Sequence, residues 1–146
     1  TNSTTLTAEI ASGMTAEGDY DVNVSNPSGL ASSLDDGVTI DGTPVFSTAS
    51  GSLGTMDAGT IANFTIAATE DGSAIASFAL KTGNSLPTGL TLNGTTGVIG
   101  GSASPVQAQT TTTFIIVATD AENQTSERSF SITVNYAIGH SIIIGD

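Results

Sequence analysis

The sequence predicts an all-β chain built of β-sandwich units in tandem, the first too short to complete its own core. Three observations predict it. Apolar residues recur with period two almost throughout, as half-buried strands require. Gly, Asn and Asp pairs break these runs at roughly 8–12 residue intervals, the rhythm of sandwich strands and their turns. No stretch of about ten residues free of turn formers carries an i, i+3, i+4, i+7 stripe, so helix is expected to be nearly absent.

Taken in order, Leu6, Ala8 and Ile10 alternate with polar residues, and Tyr20, Val22 and Val24 do the same. A further strand ends at Ile40. Asp41-Gly42-Thr43-Pro44 then interrupts the pattern and marks the boundary between residues 1–42 and a second unit at 44–136. Between Thr60 and Thr69, Ala62, Phe64, Ile66 and Ala68 form one face of a single strand. Thr111 to Thr119 becomes β-branched through Ile115, Ile116 and Val117, as a strand near the centre of a sheet does. Phe130, Ile132, Val134 and Tyr136 alternate in the last strand, and a tail, 137–146, remains. Asp36-Gly37, Asp41-Gly42, Asp71-Gly72 and Asn93-Gly94 tolerate positive φ and read as turns. Forty residues are few for an independent core without disulfides or metal, so the first unit is expected to lack one.

Composition excludes much chemistry. The 146 residues carry 14 acidic and 2 basic side chains, Lys81 and Arg128, for a formal charge of -12. With so few cations there is nothing to displace phosphate counterions, so no nucleic-acid partner is expected. The same balance excludes a basic membrane-surface helix, and no run approaches the ~18 apolar residues of a membrane span. Cysteine is absent and His140 is the one histidine, which leaves no thiolate or multi-histidine metal site and no support for a Ser-His-Asp triad. Acids sit in turns beside Gly, Ser or Asn, where they stay ionised and solvated, so no catalytic carboxylate pair and no enzyme is expected. Hydrophobic residues at 38% permit a packed core, and aromatics at 5% require it to be built mainly of Val, Ile, Leu and Ala. Thr1 is no initiator, so the chain is read as processed or as a segment of something longer.

The second unit resembles a known family. Leu86-Pro87-Thr88-Gly89-Leu90-Thr91-Leu92-Asn93 and Thr96-Gly97-Val98-Ile99-Gly100-Gly101 resemble the LPxGLxLNxxTGxIxG hallmark of the "putative Ig" cadherin-like modules of bacterial surface and phage proteins. Ala68-Thr69-Glu70-Asp71-Gly72, Val117-Ala118-Thr119-Asp120 and Phe130-Ser131-Ile132-Thr133-Val134 resemble its turn and closing strands. In the hallmark, Pro87 and Gly89 set a sharp approach to the strand of Leu90 and Leu92. Gly100-Gly101 is expected to bend the chain out of the sheet. In the first unit, Thr5-Leu6-Thr7-Ala8-Glu9-Ile10, Gly18-Asp19-Tyr20-Asp21-Val22-Asn23-Val24 and Gly37-Val38-Thr39-Ile40 resemble the second half of an IPT/TIG immunoglobulin-like domain whose opening half is missing. The resemblances imply immunoglobulin-like sandwiches in tandem, on a bacterial cell-surface filament or a phage virion.

Such modules serve as spacers, stalks or adhesive surfaces, so two functions are open. One is a structural subunit or repeat of an extracellular filament, stalk or virion fibre. The other is an adhesin module that recognises a surface glycan or protein, although tryptophan is absent and stacking platforms are scarce. No cofactor is expected. Cadherin-like modules bind calcium at inter-domain linkers, and Asp35, Asp36, Asp41, Glu70, Asp71, Asp120 and Glu122 are the candidate ligands. However, no D-x-[DN]-x-[DN]-G loop occurs, and solvated turn carboxylates are the expected reading. Five N-x-S/T sequons, at Asn2, Asn23, Asn63, Asn93 and Asn123, fit chance in a chain rich in Ser and Thr. An incomplete unit leaves sheet edges that invite strand addition. The tail residues Ile138, Ile142, Ile143 and Ile144 are therefore expected to add to Leu6, Ala8, Ile10, Tyr20, Val22 and Val24 of the next copy, head to tail.

Overall fold

The computed structural model describes residues 18–70 and 74–136, all of them strand, turn or irregular, with no helix among them. No helix is long and apolar enough to cross a membrane among these residues. The chain divides into two compact units between Gly42 and Thr43.

The described part of the first unit is one antiparallel hairpin, β1 (Gly18–Ser25) with β2 (Ala31–Ile40). Its turn is set by Asn26, whose Oδ1 accepts the backbone N–H groups of Ser28 and Leu30, both at 3.0 Å. This Asx arrangement outcompetes Asp36-Gly37, which the sequence marks as a turn. Asp36 and Gly37 instead lie inside β2, where Asp36 takes φ 53° opposite the register shift between Tyr20 and Val22. The Asp36 N–H bonds Asp21 Oδ1 at 3.0 Å, so the pair forms a bulge and the strand continues.

The second unit is a β-sandwich. One sheet runs in the order β4 (Gly51–Asp57), β11 (Thr125–Asn135), β10 (Thr110–Asp120), β7 (Ile75–Leu80). The other layer comprises β3 (Val45–Phe46) with β6 (Ala68–Thr69), and β5 (Ile61–Thr65), β9 (Val98–Ser102) and β8 (Leu90–Leu92). β10 is central, as its β-branched run predicts. The alternation decides the core: Phe114, Ile116 and Ala118 of β10 and Phe130 and Ile132 of β11 are completely buried. Across the interior they join Phe46, Ala62, Ile66, Leu90 and Ile99 of the second layer in one cluster. Burying each large aliphatic or aromatic side chain contributes about 1.5–3 kcal/mol.

Two local expectations change here. The single strand foreseen over 60–69 keeps its inward face, with Ala62 and Ile66 buried, but divides at Ile66, whose N–H bonds Gly97 O at 3.0 Å. β5 pairs β9 before that point and β6 pairs β3 after it. Gly100 and Gly101, foreseen as a bend out of the sheet, instead sit in β9 between β5 and β8. At Gly101 the backbones crowd, since a Cβ there would stand 2.4 Å from Gly89 O, whereas at Gly100 a Cβ would make only an ordinary contact with Ala62 O at 3.9 Å.

Arg128 closes one end of the interior. Its Nη1 donates to Phe46 O at 2.9 Å and Thr48 O at 2.8 Å, and its guanidinium lies 5.4 Å from the Phe46 ring centre. It ties the chain entering the unit to β11.

Gly97 supplies the sharpest test of this packing. It holds φ 69°, and a Cβ there would meet Ile66 O at 2.1 Å; Gly83, with φ 83°, has open space. Gly83→Ala should cost about 1 kcal/mol for the backbone conformation alone, and Gly97→Ala about 3 kcal/mol or more. Urea denaturation of the two variants checks the difference; equal losses would contradict the close approach.

Candidate functional site

Two regions hold the candidate residues. The first is the hairpin. On β1, Tyr20, Val22 and Val24 fall on one face, and the register places Val38 opposite Tyr20 and Leu34 opposite Val22. Strand alternation puts Asp19, Asp21 and Asn23 on the other face. There Thr39 Oγ1 donates to Asp19 Oδ1 at 2.8 Å. The hairpin therefore has one polar and one apolar side. Val24 is 43% exposed, Leu34 62% and Leu30 73%, and no residue from Gly18 to Asp41 is buried. Leu6, Ala8, Ile10, Ile138, Ile142, Ile143 and Ile144, expected to share this surface, lie outside the described residues, as do His140 and Asp71.

The second region is the end of the sandwich where the chain enters it. Val45 pairs Thr69, which leads directly into Glu70, and the β10–β11 connection brings Glu122 to the same place. One carboxylate oxygen of Glu70 and one of Glu122 lie within 4.8 Å of each other. Asp120 is the next inward position after Phe114, Ile116 and Ala118, and it is 1% exposed. Its Oδ1 accepts the Gln124 N–H at 2.7 Å and orders the turn, in which Asn123 has φ 71°. Its Oδ2 is buried with no hydrogen-bond partner. A buried carboxylate oxygen without a donor is costly unless a cation or proton meets it. Asp35 and Asp36 are exposed on β2, and Asp41 is half-buried just before the unit boundary.

Sequence reading placed Asp120 in a solvated loop and missed its burial. The signal was present in the period-two row Phe114-Ile116-Ala118-Asp120, which puts the acid on the core face. Also missed was an open groove of about 560 Å³ beside the edge strands β7 and β8, lined by Phe78, Leu80, Leu86, Leu90 and Leu92. Such a groove depends on which strands end each sheet, which local sequence does not state.

The family model described as "Putative Ig domain" matches residues 43–135. Among curated proteins no match was found. Solved structures similar to this chain include protocadherin gamma B2 extracellular cadherin domains 3–6, at 18% identity and TM-score 0.45, covering 62% of this chain and 22% of that one. Mouse cadherin-23 EC22–24 is similar at 17% identity and TM-score 0.45, covering 80% of this chain and 40% of that one. The chain thus spans well under half the length of either structure.

Proposed function

The chain belongs to the "Putative Ig domain" family, and from that premise we propose that it is a non-enzymatic structural repeat of an extracellular filament, stalk or fibre. One observation carries the reading: β4 and β11 are parallel neighbours, with Gly51 beside Phe130 and Asp57 beside Asn135. The chain therefore enters the sandwich at one end of this pair and leaves at the other. Units so threaded join in series, each passing tension to the next along the chain. Pulling on the two ends loads the β4–β11 ladder in shear, so its hydrogen bonds resist together. Arg128 braces the segment just before β4.

The alternative, an adhesin module, would use the groove beside β7 and β8. That groove offers aliphatic walls, and its one aromatic, Phe78, is 7% exposed. It suits a glycan poorly, because sugar stacking needs an open aromatic face. The structural reading is preferred on that ground.

A cation at the chain-entry end is the finer part of the proposal. Glu70 and Glu122 are hard oxygen donors that fit calcium, which takes six to eight oxygens; these two supply at most four, and water would complete the set. A bound cation would also offset the buried Asp120 carboxylate and stiffen the end through which the chain enters.

Two outcomes test these statements. Stretched from its ends in an optical trap, the second unit should unfold in one abrupt event, and Arg128→Met should lower the unfolding force. Gradual peeling at low force would contradict the series reading. Separately, calcium at about ten times its dissociation constant should raise the melting temperature of the second unit by roughly 7 °C. Glu70→Gln and Glu122→Gln should abolish that rise, and an unresponsive native chain would rule out the cation.

A further inference from the structure

We propose that Asn93 is a self-modifying residue: within the folded β8–β9 turn the Gly94 nitrogen attacks its side-chain amide, and the chain acquires an aspartate at position 93. This reactivity goes beyond the structural-repeat reading and does not depend on it.

The turn supplies both the nucleophile and the hold on the amide. Of the eight asparagines, Asn93 alone is followed by glycine, whose missing side chain leaves its nitrogen open to approach. Asn93 Oδ1 accepts the backbone N–H groups of Thr95 and Thr96, both at 3.0 Å. The Gly94 N–H donates to no group among the described residues, so its nitrogen reacts without breaking a backbone bond. The surrounding turn is pinned. The Asn93 N–H donates to Val98 O at 2.8 Å, the Gly97 N–H to Asn93 O at 2.9 Å, and the Phe78 N–H to Gly94 O at 2.6 Å. Asn93 and Gly94 are both exposed, so water reaches them.

The chemistry balances with water alone. Hydroxide removes the Gly94 amide proton, and the nitrogen adds to Asn93 Cγ, which places negative charge on Oδ1. The Thr95 and Thr96 N–H groups already stand at hydrogen-bond distance there, the arrangement that stabilises a tetrahedral oxyanion. The Cγ–Nδ2 bond then breaks, and Nδ2 takes a proton from water and leaves as ammonia. Water opens the five-membered imide that remains, so the net change is amide plus water to carboxylate plus ammonium.

The same bonds select the product. Water adding at Cγ restores the original main chain and leaves aspartate. Water adding at the main-chain carbonyl carbon would route the chain through the side chain, as isoaspartate. Oδ1 has two donors and the main-chain oxygen one, from Gly97, so the turn directs water to Cγ. Aspartate also keeps the fold, because its carboxylate retains both N–H donors as charge-assisted bonds. Isoaspartate would lengthen the main chain inside the turn and disturb the pairing of Leu92 with Ile99.

Asn26 is the internal comparison. Its Oδ1 also accepts two backbone N–H groups, from Ser28 and Leu30, but Pro27 follows it and has no N–H to lose. Among the described residues, Asn93 alone combines the paired donors with the nucleophile.

The test is ageing of the full-length protein in mildly alkaline buffer, folded and in guanidinium, read by peptide mass spectrometry with fragmentation that separates aspartate from isoaspartate. In the folded protein the peptide carrying residue 93 should convert from amide to acid at least as fast as in the unfolded chain. The product should be mostly aspartate, and the peptide carrying Asn26 should keep its amide. An amide at residue 93 that persists in the folded protein, or converts more slowly there than in guanidinium, would overturn the proposal. Isoaspartate in excess would overturn it too, since the turn would then not direct the opening. Asn93→Asp should leave the unfolding transition of the second unit at or above its native position. A lowered transition would contradict a turn that accommodates the product.

Discussion

Phe130 lies at the crossing of the two layers, and the sandwich depends on what packs around it. Its ring meets Phe46 edge-on at 5.9 Å and Phe114 at 6.4 Å, and Phe46 in turn lies 6.5 Å from Phe78. Four of the five phenylalanines thus form one connected group in a chain with no tryptophan. Through Phe46 this group fixes the two-residue strand β3, which backbone bonds alone would hold poorly. Arg128 lies two residues from Phe130 on the same side of β11, and its guanidinium binds the carbonyls of the segment that Phe46 anchors. Ring packing and charge-assisted bonds therefore act on one short stretch of chain. That stretch decides where the polypeptide enters the sandwich, and so decides that β4 runs parallel to β11.

The two units solve the burial problem differently. In the second, alternate residues of long central strands meet a facing layer, and the interior closes. In the first, the same alternation gives an apolar face with no second layer among the described residues. Period two makes a strand amphipathic; only a partner makes it stable. A chain that contains both a closed sandwich and an open hairpin has its cooperative core in one place and its unsatisfied surface in another.

Much of this was legible in the residues, and the failures have physical causes. Phe114, Ile116, Phe130, Ile132 and Val134 declare their burial through alternation, and β10 declares its central place through its β-branched run. Asn93 declares its turn, where Oδ1 accepts the N–H groups of Thr95 and Thr96, both at 3.0 Å. By contrast, Asp36-Gly37 has turn chemistry but lies opposite a register shift, so the competing Asx turn at Asn26 settles the hairpin. Gly100-Gly101 looks like a bend but lies within β9, where Gly101 answers the approach of Gly89 from the turn before β8. The division of residues 60–69 follows from a hydrogen bond to Gly97, some thirty residues away in sequence. Each miss turns on a non-local partner. Among candidate site residues, the acids were visible as a set, but the burial of Asp120 depended on following the β10 face one step past its last apolar residue.

Amide hydrogen exchange of the full chain, followed across a range of protein concentrations, tests the account most directly. Amides of β10 and β11 should be strongly protected at every concentration, because their core is complete within one molecule. Amides of β1 and β2 should exchange rapidly, because no residue from Gly18 to Asp41 is buried. Hairpin amides that are as protected at the highest dilution as those of the sandwich would contradict it.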